Sequence, residues 1–344
     1  FGAVHVGFGE PISLADALGD QRDAFRALGR GGIVDAERQA DLAERKRAFI
    51  EHLGHSLVER IGLAMVANAT SVAAVVLLGA PHSGLRRDRL EVEMRRVAEL
   101  LKLQGVRLTP AFERDLSELK DSLGVLLRSD LIESRVDARG EIVFFEEGRR
   151  RALDIYRNSI AHFLVLPSIL ARAVLRGCEA ARIPEELETW MDVLYREYFA
   201  SRDLYLSRGE ALLDYAVRQG WVERSGSDWV ATREGEPILG ILAEQTRGVL
   251  ECYEAVVRAL IDRGGSGLRG EIRAASHEAF ESARLLGRAR RPEAATDSTF
   301  ENALAWLCAR RVLEAERVQT GKRGGRETQY APGDAFGELE SIHS

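Results

Sequence analysis

The sequence predicts a mainly helical fold that carries short β-hairpins, an α+β arrangement in which helices supply most of the core. Two observations predict it. Apolar residues recur at helical spacing along much of the 344 residues. A helix followed by a short hairpin recurs three times, each time after other helical sequence, which is the outline of a winged helix. Composition agrees, because 45% hydrophobic and 30% charged residues are ordinary for a globular protein.

The opening, "AVHVGFGEPISL", reads as a strand. Val4, Val6 and Phe8 alternate with His5 and Gly7, as in a half-buried strand. A single edge strand with nothing before it rarely starts a domain, so the chain reads as the C-terminal part of a longer protein. Asp35 then offers an N-cap to a long helix whose stripe is Leu42, Phe49, Leu53, Leu57, Ile61 and Met65. The "ERKR" run inside it is flanked by acids and reads as a solvated face. A second helix starts near Asp88, carries Leu90, Met94, Val97 and Leu101 on one face, and ends at Gly105. A third carries Leu116, Leu119, Leu123 and Leu126. "LIESRVDARGEIVFF" then forms a hairpin about Asp137-Ala138-Arg139-Gly140.

The hairpin unit returns at Trp221–Val230 and again from Val312 to Tyr330. This divides the chain into a terminal strand (1–15), a helical region with one hairpin (16–180), a helical region with two helix-hairpin units (181–335) and a tail (336–344). The helices that would enter a DNA groove, "RGEALLDYAVRQG" and "STFENALAWLCARR", hold as many acids as outward-facing bases. Together with a net charge of −6, this argues for scaffold and against nucleic acid. Only four lysines occur, so nearly all positive charge is arginine.

The three cysteines, Cys178, Cys252 and Cys308, are scattered and imply neither zinc nor a disulfide framework. A reducing environment is the simplest reading. No apolar run reaches the ~20 residues that span a bilayer. "YRNSIAHFLVLPSILARAVL", residues 156–175, comes nearest, but Pro167 interrupts it and Arg172 would be costly in lipid. A buried, kinked helix is expected. Its polar head holds the candidate site residues, Arg157, Asn158 and His162, which would hold a domain interface or face a groove. Asn158 and His162, four apart, would share a helical face, and Arg157 would not.

Catalytic signatures are missing. None of the seven histidines is followed five residues on by aspartate, so the H-x-x-x-x-D base of one acyltransferase superfamily is absent from this chain. "FFEEGRRR" (residues 144–151) fits F-x-E-G-x-R, a phosphate-gripping pattern, but it closes a hairpin and enters a helix. It reads as a charged hairpin exit. No catalytic, metal or cofactor-binding residue is assigned.

Two stretches carry a resemblance. "VHVGFGEPISL" resembles the strand-and-turn of PlsB-type bacterial glycerol-3-phosphate acyltransferases, and "YRNSIAHFLVLPSI" resembles a longer, more specific segment of that family. Ser159 stands where the family usually has asparagine. The resemblance implies acyl transfer from acyl-CoA or acyl-carrier protein to the first hydroxyl of glycerol 3-phosphate. It implies no further cofactor, a catalytic α/β domain upstream whose last strand opens this chain, an apolar part of segment 156–175 that lines space for the acyl chain, and peripheral attachment to the cytoplasmic face of the cell membrane. The family's base and phosphate motifs precede "FGEPI", so none of its catalytic residues maps onto this chain. Three alternatives stay open: a non-catalytic interaction module, a winged-helix nucleic-acid binder, and an acyltransferase with another acceptor such as dihydroxyacetone phosphate.

Overall fold

The structure is a computed structural model that describes residues 6–29, 35–110, 112, 118–198, 202–320 and 325–339. Residues 6–13 form neither helix nor strand, and Val6 and Phe8 are 74% and 88% exposed. The half-buried strand expected here is therefore not seen in its described part; Val4 and His5 lie outside the described residues. The physical reason is that an extended segment becomes a strand only against a ladder partner. Among the described residues, none pairs with it.

Two short helices follow, α1 (Leu14–Leu18) and α2 (Gln21–Gly29), and then the long α3 (Ala36–Ala64). Asp35 caps α3 as expected, accepting from the Arg38 N–H at 2.8 Å. Along α3 only Leu42 is fully buried, while Ile50, Leu57, Val58, Ile61 and Leu63 are exposed. The apolar stripe exists, but its C-terminal half has little to pack on.

The rest is built from one arrangement used three times. In the first, β1 (Val66–Ala67) leads into α4 (Ala69–Gly79), followed by β2 (Gly84–Arg86), α5 (Arg87–Leu103), β3 (Arg107–Leu108), α6 (Glu118–Arg128) and the hairpin β4 (Glu133–Asp137) and β5 (Gly140–Phe144). After α7 (Arg150–Asn158) the second begins with α8 (Val165–Leu175), β6 (Cys178–Glu179), α9 (Ile183–Tyr198), α10 (Arg202–Arg218) and the hairpin β7 (Val222–Ser225) and β8 (Asp228–Ala231). After α11 (Glu236–Ala243) the third comprises α12 (Arg247–Asp262), β9 (Gly267–Leu268), α13 (Arg269–Leu285), α14 (Asp297–Ala309) and the hairpin β10 (Leu313–Thr320) and β11 (Gly325–Pro332). In all three, the second hairpin strand lies in the middle and pairs antiparallel with the short strand that precedes the two helices.

Local chemistry explains much of this. Leu90, Met94, Val97 and Leu101 are all buried on α5, and Gly105 ends it at φ +76. Gly140 (φ +121) and Gly226 (φ +63) turn the first two hairpins. Leu123 and Leu126 of α6 are buried; Leu116 lies outside the described residues. One core runs from Ala67 to Ala243, and a second gathers Val193 with Cys252 through Leu339. The helix α4 is central to the first, buried at every residue except Thr70, and packs on α5, α6, α7 and α11.

Candidate functional site

The segment 156–175 is not one kinked helix. It ends α7 at Asn158, passes through a short 3-10 turn at Ala161–Leu164 and starts α8 at Val165. The chain bends by 83° there. Pro167 falls in the first turn of α8, where backbone N–H groups have no intrahelical partner, so it helps to start that helix and does not kink it. Ser159 closes the end of α7. Its hydroxyl donates to the Tyr156 carbonyl at 2.7 Å and shares a 2.9 Å hydrogen bond with the Ser71 hydroxyl on α4.

This break separates the polar head from the apolar tail. Residues 163–171 are buried in the first core, against α9 and α11. Packed side chains fill that region within this chain. No single described helix is long and apolar enough to cross a membrane, and the pair Glu147–Asn158 and Ala161–Leu175 would do so only across the 83° bend.

The polar head opens instead into a cleft of about 400 Å³. Its floor is α7, which buries Arg150, Leu153, Asp154 and Arg157 along one face. Arg157 forms an ion pair with Asp154 (Nη2 to Oδ1, 2.5 Å) that lacks hydrogen-bond alignment, and donates to Asn158 Oδ1 at 3.2 Å. Asn158 in turn donates to Asp154 Oδ2 at 2.9 Å, closing a triangle. His162 reaches the cleft from the 3-10 turn, where Nε2 donates to the Gly62 carbonyl of α3 at 3.0 Å. Its ring lies 3.9 Å from the Phe163 ring. Burial lowers its pKa, opposed by the Gly62 hydrogen bond.

All three candidate residues therefore line one cleft, though not by the geometry the sequence implies. Asn158 and His162 lie on either side of a chain break, and adjacent Arg157 and Asn158 bond to each other. The opposite wall comes from far along the chain: Glu197 and Tyr198 of α9, and Glu293. Burial raises Glu197 to about 7, against hydrogen bonds from Asn302 and Tyr253 that favour its charged form. Glu293 is 7% exposed, and neither carboxylate oxygen has a hydrogen-bond partner; Arg150 Nη1 approaches Oε1 only to 3.9 Å. Burial raises its pKa too, despite Arg150 and Arg157. The third wall is the end of α3, with Val58 and Ile61, and Met65 just beyond it.

The cleft gathers ionisable groups, and His162 Nε2 is committed there to a backbone carbonyl. Among the described residues, no group of three or more His, Cys, Asp or Glu converges to hold a metal. The F-x-E-G-x-R match is turned in on itself. Arg150 donates to both oxygens of Glu147 (2.7 and 2.8 Å) and lies 5.1 Å over the Phe145 ring, and Ser83 adds a bond to Glu147 at 2.9 Å. Arg150 above all holds the Glu147 carboxyl down to about 2. A guanidinium so engaged is a poor phosphate grip.

A second cleft, about 620 Å³, lies across α3, where "FGEPI" runs along the last turns of the helix. Arg60 donates to the Glu10 and Pro11 carbonyls at 3.3 and 3.5 Å. A Cβ on Gly7 would meet the Ala64 carbonyl at 2.5 Å, so only glycine allows this approach. Of the roles assigned here, that of Asp154 had a signal in sequence, since 150, 153, 154 and 157 repeat at helical spacing. Glu197 and Glu293 had none, being brought in by tertiary packing alone.

A family model described as the glycerol-3-phosphate acyltransferase C-terminal region matches residues 1–316. The glycerol-3-phosphate acyltransferase of Shewanella loihica is 26% identical over 285 residues, covering 81% of this chain and 34% of that protein. That of Aeromonas hydrophila is 27% identical over 267 residues, covering 76% and 32%. That of Pseudomonas putida is 26% identical over 287 residues, covering 79% and 32%. The chain thus spans about a third of the length of the curated relatives it matches.

Proposed function

The chain belongs to the glycerol-3-phosphate acyltransferase C-terminal region family, and from that premise we propose that it is the C-terminal part of a glycerol-3-phosphate 1-O-acyltransferase. The reaction joins a fatty acyl group from acyl-CoA or acyl-carrier protein to the first hydroxyl of glycerol 3-phosphate. The hydroxyl oxygen attacks the thioester carbonyl, the carbon–sulfur bond breaks, and the hydroxyl proton ends on the released thiol. No cofactor beyond the acyl carrier enters this reading. The observation that carries it is the family match across residues 1–316.

The base that removes the proton lies, on this reading, in a part of the protein outside this chain, because no histidine here has the required aspartate. The exposed apolar surface supports this. Val6, Phe8, Leu14, Ile50, Leu57, Val58, Ile61 and Leu63 are all exposed and all belong to the first 63 residues. Of these, Ile50, Leu57 and Ile61 recur at helical spacing on one face of α3, and an exposed apolar face of this kind marks an interaction site. We assign it to the catalytic α/β domain, whose last strand would be the opening segment once a neighbouring strand supplies its ladder. Arg157, Asn158 and His162 then act at the joint that carries α3, the helix bearing this face.

The three repeated arrangements serve as winged-helix scaffold in this proposal. α14, in the position of a recognition helix, holds Asp297 and Glu301 and no basic residue, which repels nucleic-acid phosphates. The protein works at the cytoplasmic face of the membrane as a peripheral enzyme. Release of free CoA from palmitoyl-CoA with glycerol 3-phosphate, compared between this chain and an upstream-extended form, tests the proposal. Activity only in the extended form is expected. Activity in this chain would overturn the placement of the base, and none in either form would favour a non-catalytic interaction module.

A further inference from the structure

At the C-terminus of α13, Leu285 and Leu286 are 78% and 69% exposed. No other two neighbouring large apolar side chains among the described residues are both exposed to this degree. They are held out rigidly. Gly287 adopts φ +72 and donates to the Arg284 carbonyl at 3.0 Å, while Arg288 N donates to the Ala283 carbonyl at 2.8 Å, the paired bonds of a Schellman turn. Beyond the turn, buried Glu251 accepts from the backbone N–H groups of Arg290 and Arg291 (2.9 and 3.0 Å), and Arg291 pairs with Glu244 at 2.5 Å. An apolar pair on so fixed a turn has already lost the conformational freedom that binding would otherwise cost.

The surrounding charge is basic. Arg284 is paired with Glu281 at 2.7 Å and Arg258 with Asp262 at 3.3 Å. Arg288 and Arg290 have no carboxylate at ion-pair distance among the described residues, and Glu254 is the acid left in the hollow beside Leu286 and Arg288. Two leucines ringed by Arg284, Gly287 and Arg288 make too small an apolar area for a stable protein interface, which takes about 800 Å² from each partner. They suit insertion between lipid headgroups, with arginines placed to meet lipid phosphates.

We propose that the Arg284–Arg290 turn is a membrane contact, with Leu285 and Leu286 entering the interface of an anionic bilayer and Arg288 and Arg290 engaging its headgroups. This rests on the reading of the protein as a peripheral membrane enzyme. It is tested by co-sedimentation of this chain with vesicles of phosphatidylcholine alone or mixed with phosphatidylglycerol. Binding to the mixed vesicles that weakens with salt is expected. L285S/L286S should weaken it by roughly ten-fold or more, because the buried apolar area is lost. R288Q/R290Q should weaken it by about 25-fold and remove most of the preference for phosphatidylglycerol, at about a factor of five for each arginine. All four side chains are exposed, so unchanged melting temperatures should accompany these losses. No binding by the parent chain, or equal binding by the leucine variant, overturns the proposal. CoA release by the extended protein in detergent separates the two ideas. Activity without vesicle binding sinks only the contact, whereas vesicle binding without activity sinks the acyltransferase reading.

Discussion

Glu197 carries a carboxyl whose pKa burial raises from the ordinary 4.5 to about 7, which ties the stability of the cleft to pH. Between those values the folded chain keeps a proton that the unfolded chain has released, so stability falls as pH rises through the window and the full penalty is present above 7. The upper limit is about 3 kcal/mol. E197Q should therefore melt at a higher temperature than the parent at pH 8, with a flatter profile between pH 5 and 8; an unchanged profile would mean the carboxyl is solvated. His162 works at the same scale. H162A removes the bond to the Gly62 carbonyl and the ring packing on Phe163, at a cost of about 2 kcal/mol in a denaturant titration. In the extended enzyme its KM for glycerol 3-phosphate should stay unchanged, as befits a joint; a raised KM would move His162 into the substrate groove. The sequence pointed to Arg157, Asn158 and His162 through a polar head on an apolar run. It could not supply their partners, because Gly62 lies 100 residues away from His162.

At the scale of elements, period and punctuation were legible. Asp35 caps α3, Gly105 ends α5, and the Asp137–Gly140 turn closes the first hairpin, each set by neighbours within a few residues. The break after Asn158 was not, because it depends on Ser159 bonding to Ser71 on α4. Nor did α4 announce itself, since a helix buried all round shows no apolar stripe. Its close crossing with α11 depends on Gly79, where a Cβ would meet the Ile241 carbonyl at 2.6 Å and the Gln245 side chain at 2.7 Å. Forcing the two helices apart in G79A should destabilise the chain by about 1–3 kcal/mol, read as a shift in denaturant midpoint. A neutral result would show that the crossing relaxes freely.

At the scale of the molecule, three helix-and-hairpin arrangements form two cores, and α3 stands beside them with Leu57 and Ile61 of its apolar stripe exposed. If that stripe seats the catalytic domain, I61D leaves the melting temperature of this chain unchanged, because Ile61 is 63% exposed. In the extended enzyme it should lower CoA release by roughly ten-fold or more, the effect of a charge at the centre of an interface. Full activity in that variant would free α3 from this role. The sequence by itself determined the mainly helical class, the three hairpins and the resemblance to an acyltransferase family, because each rests on local spacing or on contiguous residues. Only the tertiary structure decided that segment 156–175 is two helices, that its apolar half is core, and that Glu197 and Glu293 face Arg157 across a cleft. Burial is a property of what packs against a residue, and packing partners distant in the chain leave no mark on the local pattern.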